Sequence, residues 1–316
     1  MKILVTGGAG FIGSALSRRL TNEGDEVVVL DNFNKYYDPI LKHAREKALL
    51  QGIKVVEGDI TNQDDLDSIF DGNKFDVVCH FAAQAGVRYS VEHPTEYIET
   101  NVLGTQMILE TMKNFGVSQM VFASSSSAYG VDSKAPFTEE ERADKPVSIY
   151  AATKRSCELI AHSYYHQYGI NVTCLRFFTV YGPWSRPDMA MLKFAQKITA
   201  GEAIDIFNNG NLRRDFTHVD DIVEGFIKAV RRPLGFEILN IGNGSPVELI
   251  KFIEILEKEL GIVAKKNMLP MQQGDVYETY ADTTKAKEVL GFEAKIDFES
   301  GIKSFVDWYK DYYKIK

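Results

Sequence analysis

The segment "IYAATK" places Tyr150 and Lys154 four residues apart, and on a helix that spacing puts both side chains on one face. A free phenol titrates at about 10 and is a poor base at neutral pH. An ammonium one turn away, with a second cation nearby, favours the phenolate, which can then take a proton from a substrate hydroxyl. The spacing alone also describes a packed aromatic beside a surface lysine. Upstream, "FASSSSAYG" carries four consecutive serines, Ser124 to Ser127. Their hydroxyls are badly placed for core packing and well placed to hydrogen-bond a polar substrate.

A second group of residues suits a phosphate. "TGGAGFIG" sets Gly7, Gly10 and Gly13, with Phe11 and Ile12 between, at a predicted strand-to-helix junction. Glycine permits the tight turn and lets backbone approach a diphosphate, which then sits at the positive helix N-terminus. Asp31 follows Gly13 by 18 residues, at the end of the next predicted strand. An acid there accepts hydrogen bonds from the adenosine ribose and repels an extra phosphate, so the expected cofactor is NAD rather than NADP. Asp59, after the third predicted strand, is a candidate adenine neighbour, with an ordinary loop carboxylate as the alternative.

The elements that must position these groups are legible in the hydrophobic pattern. "KILVT", "EVVVLD", "IKVVEGD", "FDVVCHFAA", "QMVFASS" and "NVTCLRF" read as buried strands. Between them lie segments with apolar residues at helical spacing. Alternating strands and helices predict an α/β fold, a parallel sheet with helices on both faces and a crevice beyond the strands' carboxyl ends. After about residue 177 turn-rich pieces such as "GPWSRPD" and "FNNGNLRRD" break the rhythm. The expected division is a cofactor domain, 1–176 plus about 217–243, and a smaller C-terminal substrate lobe, about 177–216 plus 244–316.

Composition excludes several function classes. With 36 basic against 44 acidic residues the net charge is −8, which argues against nucleic-acid or anionic-membrane partners. No apolar run approaches the ~20 residues of a membrane helix. Three scattered cysteines suggest no disulfide framework, and with no signal peptide at the start they predict a cytoplasmic protein. His162 and His166 in "HSYYH" lack the glutamate of a zinc-protease motif, so no metal is expected.

Taken in order, "TGGAGFIG", "HFAA", "TNVLGT", "SSSSAYG", "YAATK", "LRFFTVYGP", "RRDFTHVDD" and "NIGNG" span nearly the whole chain. They resemble the extended short-chain dehydrogenase/reductase superfamily, in its nucleotide-sugar epimerase and dehydratase branch. The resemblance implies a Rossmann-type doubly wound sheet. It makes Tyr150 the base, Lys154 its partner and ribose contact, and Ser125 the third catalytic group. For NAD it implies the glycine loop, Asp31, Asn32, Asp59, Ile60, Ala82, Ala83 and Asn101. It also implies a homodimer, with the helix after Asn101 paired against the Tyr150 helix, although the apolar residues of both would equally pack on the sheet.

Members of this branch start by oxidising carbon 4 of the sugar. The dehydratases follow the catalytic hydroxyl with an Asp-Glu pair, and the decarboxylases carry a Glu at the second of those positions. Ser126 and Ser127 stand there instead and cannot do acid–base work near neutral pH. The expectation is therefore 4-epimerisation, with NAD tightly held and regenerated each turnover. "GPWSRPD", "DNFNKYYDP" and "QAGVRYS" resemble the epimerases that act on UDP-glucuronate. A guanidinium fits a carboxylate through two parallel hydrogen bonds, so Arg186 is the expected carboxylate contact. Thr179, Ser126 and Ser127 help it, Arg88 is a further candidate, and Arg186 could instead pin its loop through Asp188. By the same resemblance Arg214 binds the diphosphate, and Phe194 and Phe207 lie near uracil unless they are core. One departure is "MQQGD" (271–275), which lacks the arginine that many relatives place before Gly-Asp. The alternatives are a UDP-glucose/UDP-galactose 4-epimerase, a UDP-sugar decarboxylase or dehydratase, and a non-catalytic NAD-binding protein.

Overall fold

In a computed structural model that describes residues 1–271 and 276–315, the apolar runs become strands that alternate with helices. The first half runs β1 (Lys2–Thr6), α1 (Phe11–Asn22), β2 (Glu26–Asp31), α2 (Ile40–Leu49), β3 (Lys54–Glu57), α3 (Gln63–Phe70) and β4 (Val77–His80). Two short helices, α4 (Tyr89–Glu92) and α5 (Pro94–Tyr97), lead through a π-helical turn into α6 (Gly104–Phe115). Then come β5 (Gln119–Ser125), α7 (Ile149–Tyr168), β6 (Asn171–Phe177) and β7 (Thr179–Tyr181). The remainder is α8 (Ala190–Thr199), β8 (Ala203–Ile206), β9 (Arg213–Arg214), β10 (Phe216–His218), α9 (Val219–Arg231) and β11 (Phe236–Ile241), followed by β12 (Val247–Glu248), α10 (Leu249–Leu260), β13 (Lys265–Met268), β14 (Glu278–Thr279), α11 (Thr284–Leu290) and α12 (Phe298–Tyr313).

Seven strands form one parallel sheet in the order β11-β6-β5-β4-β1-β2-β3. Chain order reverses between β1 and β4, and a crevice opens at such a switch point beyond the strands' carboxyl ends. Side chains alternate across a strand, so each strand feeds two cores. Ile3, Val5, Val27 and Val29 face α1 and α9; Leu4, Val28, Leu30 and Val78 face α3, α6 and α7. The late strand "FEILNI" pairs with β6 at Phe236↔Val172 through Ile241↔Phe177 and becomes the seventh strand.

A third core lies under α8, α10 and α12, where Leu192, Ile204, Phe252, Leu256 and Phe305 are fully buried. It reaches the sheet through the parallel pair β7–β10, whose Tyr181 and Phe216 belong to it. Asp215, just before β10, is 0% exposed and accepts from the backbone N–H groups of Asn243, Gly244 and Ala281 and from the Thr217 hydroxyl. One buried carboxylate thereby gathers three chain segments, which repays its desolvation with charge-assisted hydrogen bonds.

Candidate active site

The crevice is one continuous cleft that runs from the glycine loop to the 179–189 segment. At one end, Gly7, Gly10, Phe11, Ile12 and Gly13 line it. Gly7 has φ +68°, and a Cβ there would sit 2.6 Å from the Ala82 nitrogen, so the loop backbone presses directly on the β4 exit. Gly10 is the N-cap of α1 and gives no side-chain cap. The first N–H groups of α1 are thus left for a ligand in the cleft, as a diphosphate requires. Asp31, 4% exposed, accepts from Ala9 N at 3.1 Å, Phe33 N at 2.9 Å and Lys42 Nζ at 3.0 Å. A carboxylate has about four acceptor sites, so capacity for a ribose hydroxyl persists. These features fit a dinucleotide: an uncapped helix start for its phosphates and a fixed acceptor beyond it.

Other expected cofactor residues divide into wall and brace. Asn32, Ile60, Ala82 and Ala83 line the cleft. The Asp59 carboxylate accepts from Asn32 Nδ2 at 2.8 Å and from the Thr61 amide and hydroxyl. Burial opposes its ionisation, yet those three donors hold it below the ordinary carboxylate range. It therefore stiffens its own turn. Asn101, 1% exposed, lies behind the wall: its amide exchanges hydrogen bonds with the Gln84 backbone and donates to Thr153 Oγ1 at 3.0 Å. The sequence placed it beside the cofactor, whereas here it ties the β4 exit to α7.

At the centre, Tyr150 and Lys154 on α7, Ser125 at the end of β5, and Ser126 and Ser127 just after it all line the cleft. Ser148 caps α7 by accepting from Ala151 N at 3.1 Å, which starts the helix at Ile149, one residue before Tyr150. Lys154, 4% exposed, donates to the Ala123 carbonyl at 2.8 Å, and its ammonium lies 4.8 Å from the Phe122 ring centroid. Tyr97 stands edge-on to Tyr150, with ring centroids 6.1 Å apart. The four serines do not act alike. Ser124 turns into the core and donates to Glu158 Oε1 at 2.6 Å, while Ser125 Oγ accepts from Ser127 N at 3.2 Å. Glu158 also receives Arg176 and Arg155, fixing the end of β5 to α7.

At the far end, Thr179 and Arg186 line the cleft. Arg186 is 24% exposed and pairs with Asp188, Nε to Oδ1 at 3.0 Å and Nη2 to Oδ2 at 2.6 Å. The loop-pinning contact is therefore present. Burial opposes both charges, but each partner's charge outweighs it: Asp188 is held below the usual carboxylate range and Arg186 is raised. Tyr36, whose hydroxyl donates to Asp188 Oδ2 at 3.1 Å, is pushed up to about 12 by burial and by that carboxylate. The pair uses only one side of the guanidinium. Nη1 has no partner among the described residues, so an end-on edge stays available for a ligand carboxylate.

The remaining candidates lie outside the cleft wall. Arg88 stacks over the Phe207 ring at 5.6 Å. Arg214 Nη1 donates to the Arg213 and Tyr277 carbonyls, at 2.9 and 3.2 Å. Phe194 stacks on Phe252 at 5.8 Å, in the third core. Residues 272–275 of "MQQGD" lie outside the described residues. Among the described residues no cluster of three metal-ligating side chains occurs, and no helix is long and apolar enough to cross a membrane. Sequence reasoning missed Tyr36, Lys42 and Arg45, which reach Asp188, Asp31 and the 184–185 carbonyls.

Comparison with known proteins gives a consistent result. The profile described as "NAD dependent epimerase/dehydratase family" matches residues 3–242. UDP-glucuronate 4-epimerase 4 of Arabidopsis thaliana is 46% identical, over 98% of this chain and 76% of that protein. The UDP-glucuronic acid 4-epimerase of Bacillus cereus, solved with UDP-glucuronic acid and NAD, is 34% identical with a TM-score of 0.91, covering 99% of this chain and 100% of that one. A UDP-glucose 4-epimerase of Thermotoga maritima, solved with UDP-glucose, is 33% identical with the same TM-score of 0.91, again over 99% and 100%. Backbone similarity does not separate the two substrates.

Proposed function

The chain belongs to the NAD dependent epimerase/dehydratase family, and from that premise we propose that it interconverts UDP-glucuronic and UDP-galacturonic acid by NAD-dependent 4-epimerisation. The observation that carries the sugar assignment is Arg186, held by Asp188 in the cleft that also contains Tyr150, Lys154 and the serines standing where dehydratase acids would be. An arginine fixed in this way suits a carboxylate on carbon 5, which a neutral hexose lacks.

Within this reading Tyr150 takes the proton from the carbon-4 hydroxyl and returns it after the sugar has turned over. Lys154, anchored on the Ala123 carbonyl, stabilises the phenolate and contacts the nicotinamide ribose. Ser125 holds the carbon-4 oxygen. NAD bound in this cleft would supply a reversible hydride acceptor for carbon 4. The glycine loop, Asp31, Asn32, Ile60, Ala82 and Ala83 hold that coenzyme, with Asp59 and Asn101 stiffening the turns around it. The transient 4-ketone is a β-keto acid, which loses carbon dioxide when the breaking bond aligns with the carbonyl π system. Arg186, Thr179, Ser126 and Ser127 hold the carboxylate out of that alignment, a matter of orientation. In this reading Arg214 binds the diphosphate, and Arg88 is a further candidate for the carboxylate.

In the same reading, 1–176 plus about 217–243 bind NAD, and about 177–216 plus 244–316 bind the UDP-sugar. The enzyme acts in the cytoplasm as a homodimer. One surface supports the dimer. Ile108, Leu109 and Met112 pack fully on the sheet, yet Leu103 and Leu159 are 46% and 54% exposed beside them. The functional test compares kcat/KM for UDP-glucuronate and UDP-glucose. A preference for the uronate of tenfold or more supports the assignment, and a preference for UDP-glucose overturns it in favour of the neutral-sugar alternative.

A further inference from the structure

Helix α2 buries two cations beside Leu41. Ile40 is 66% exposed, whereas Lys42 and Arg45 are 6% and 0% exposed. At i, i+3 the two cations share one helix face, and both are used at the cleft. Lys42 holds Asp31. Arg45 crosses to the opposite loop, where Nε and Nη2 donate to the Trp184 carbonyl at 3.0 and 2.8 Å and Nη2 also reaches the Ser185 carbonyl at 3.4 Å. Its Nη1 donates to the Tyr37 hydroxyl at 2.7 Å and to the Ala9 carbonyl, in the glycine loop, at 3.4 Å.

Among the described residues Arg45 has no carboxylate partner, and every acceptor it meets is neutral. A buried guanidinium without a counter-ion is costly, and an apolar side chain would fill the same space at lower cost. What Arg45 provides instead is a rigid link between two loops. Trp184 sits at φ +64°, in the left-handed region that L side chains rarely adopt. Its carbonyl is fixed by Arg45, and its ring packs against Trp308 and Tyr312 at 5.3 and 5.1 Å. Arg186 follows two residues later.

We propose that Arg45 is a positioning residue that locks the Arg186 loop to the glycine loop and so decides whether a bound uronate is epimerised or loses carbon dioxide. This rests on the uronate reading above. When the lock slips, the carboxylate of the 4-keto sugar turns into alignment. The bond from carbon 5 to the carboxylate carbon then breaks, its electron pair passes onto the carbon-4 oxygen as an enolate, and carbon dioxide leaves. A proton adds at carbon 5, and return of the same hydride to carbon 4 gives a UDP-pentose, so no outside oxidant or reductant is needed.

The test uses full-length wild type, Arg45→Met and Arg45→Lys, each given UDP-glucuronate, with UDP-galacturonate, UDP-pentose and bound NAD quantified. Displacement of a positioning loop by about 1 Å can cost a hundredfold. Epimerisation in Arg45→Met should fall at least about tenfold, and UDP-pentose should rise to about a tenth of product or more, with NAD retained. Arg45→Lys should fall between, because an ammonium can hold one carbonyl but cannot bridge two loops. In an Arg186→Ala background, Arg45→Lys should change the product ratio no further. If Arg45→Met does not fold, Arg45→Lys and Tyr37→Phe decide the matter. A wild-type product ratio and KM in the folded variants overturns the proposal alone, as does an undiminished effect in the Arg186→Ala background. No turnover of UDP-glucuronate by wild type overturns the uronate reading and this proposal with it.

Discussion

Arg186 and Asp188 meet through two parallel hydrogen bonds, Nε to Oδ1 at 3.0 Å and Nη2 to Oδ2 at 2.6 Å, and this geometry reconciles two roles that looked exclusive. A pair that pins the loop also leaves Nη1 of a cleft-lining arginine without a partner among the described residues. Two variants separate charge from orientation. Arg186→Ala should lower kcat/KM for UDP-glucuronate by roughly 10- to 100-fold, as loss of a charge-assisted contact does, and should release UDP-pentose. Asp188→Asn removes a charge that opposes the substrate carboxylate, so KM should not rise more than about twofold, while the pentose fraction increases. Unchanged turnover in Arg186→Ala, with no pentose, removes the clamp from the account.

Tyr150→Phe deletes the hydroxyl and leaves the ring that packs on Tyr97. Epimerisation should fall by about 10²- to 10⁴-fold, the range for loss of a general base, with the protein still carrying NAD. Steady-state rates and coenzyme content measured together check this. A tenfold or smaller loss would move the base to another group.

Gly7→Ala tests the coenzyme loop. The new Cβ would lie 2.6 Å from the Ala82 nitrogen at a φ of +68°, so backbone must move at the contact between the loop and the β4 exit. Bound NAD in the purified protein should drop below half occupancy, and thermal unfolding should shift down by several degrees, about 2–4 °C for each kcal/mol lost. Full NAD occupancy with an unchanged midpoint contradicts that placement.

His80 gives a pH dependence. It is 0% exposed, its Nδ1 and Nε2 meet Thr6 and Thr105 hydroxyls at 2.7 and 3.0 Å, and burial followed by Lys154 lowers its pKa to about 3. The unfolded chain binds a proton at this residue below about 6.5, and the folded chain does not until about 3. Stability from neutral His80 is therefore fully present above pH 6.5 and is lost as pH falls toward 3, by up to about 1.4 kcal/mol per pH unit. Denaturant unfolding at pH 7.5 and 5.5 should show a smaller acid loss in His80→Gln than in wild type. Equal losses refute the assignment.

The parallel sheet and the crevice beyond its strands' carboxyl ends were legible in the sequence because strand alternation and the glycine loop are local signals, whereas the strand order with its switch point came only with the fold. Tyr150, Lys154 and Arg186 were legible through spacing and motif. What was not legible depends on long-range partners. Ser124 reads like its three neighbours, yet strand alternation sends it to Glu158, 34 residues away. Asn101 reads as a cofactor ligand, but its amide is consumed by Gln84 and Thr153. On α2 Arg45 is buried on the same face as Leu41, while Ile40 faces out. The burial of Arg45 depends on partners such as the Trp184 carbonyl, 139 residues away.

The central claim is tested most directly by incubating the purified protein, with no added coenzyme, with UDP-glucuronate deuterated at carbon 4. The account predicts UDP-galacturonate that keeps the deuterium at carbon 4, with UDP-pentose undetectable. Unreacted UDP-glucuronate from protein that holds NAD and epimerises UDP-glucose would contradict it.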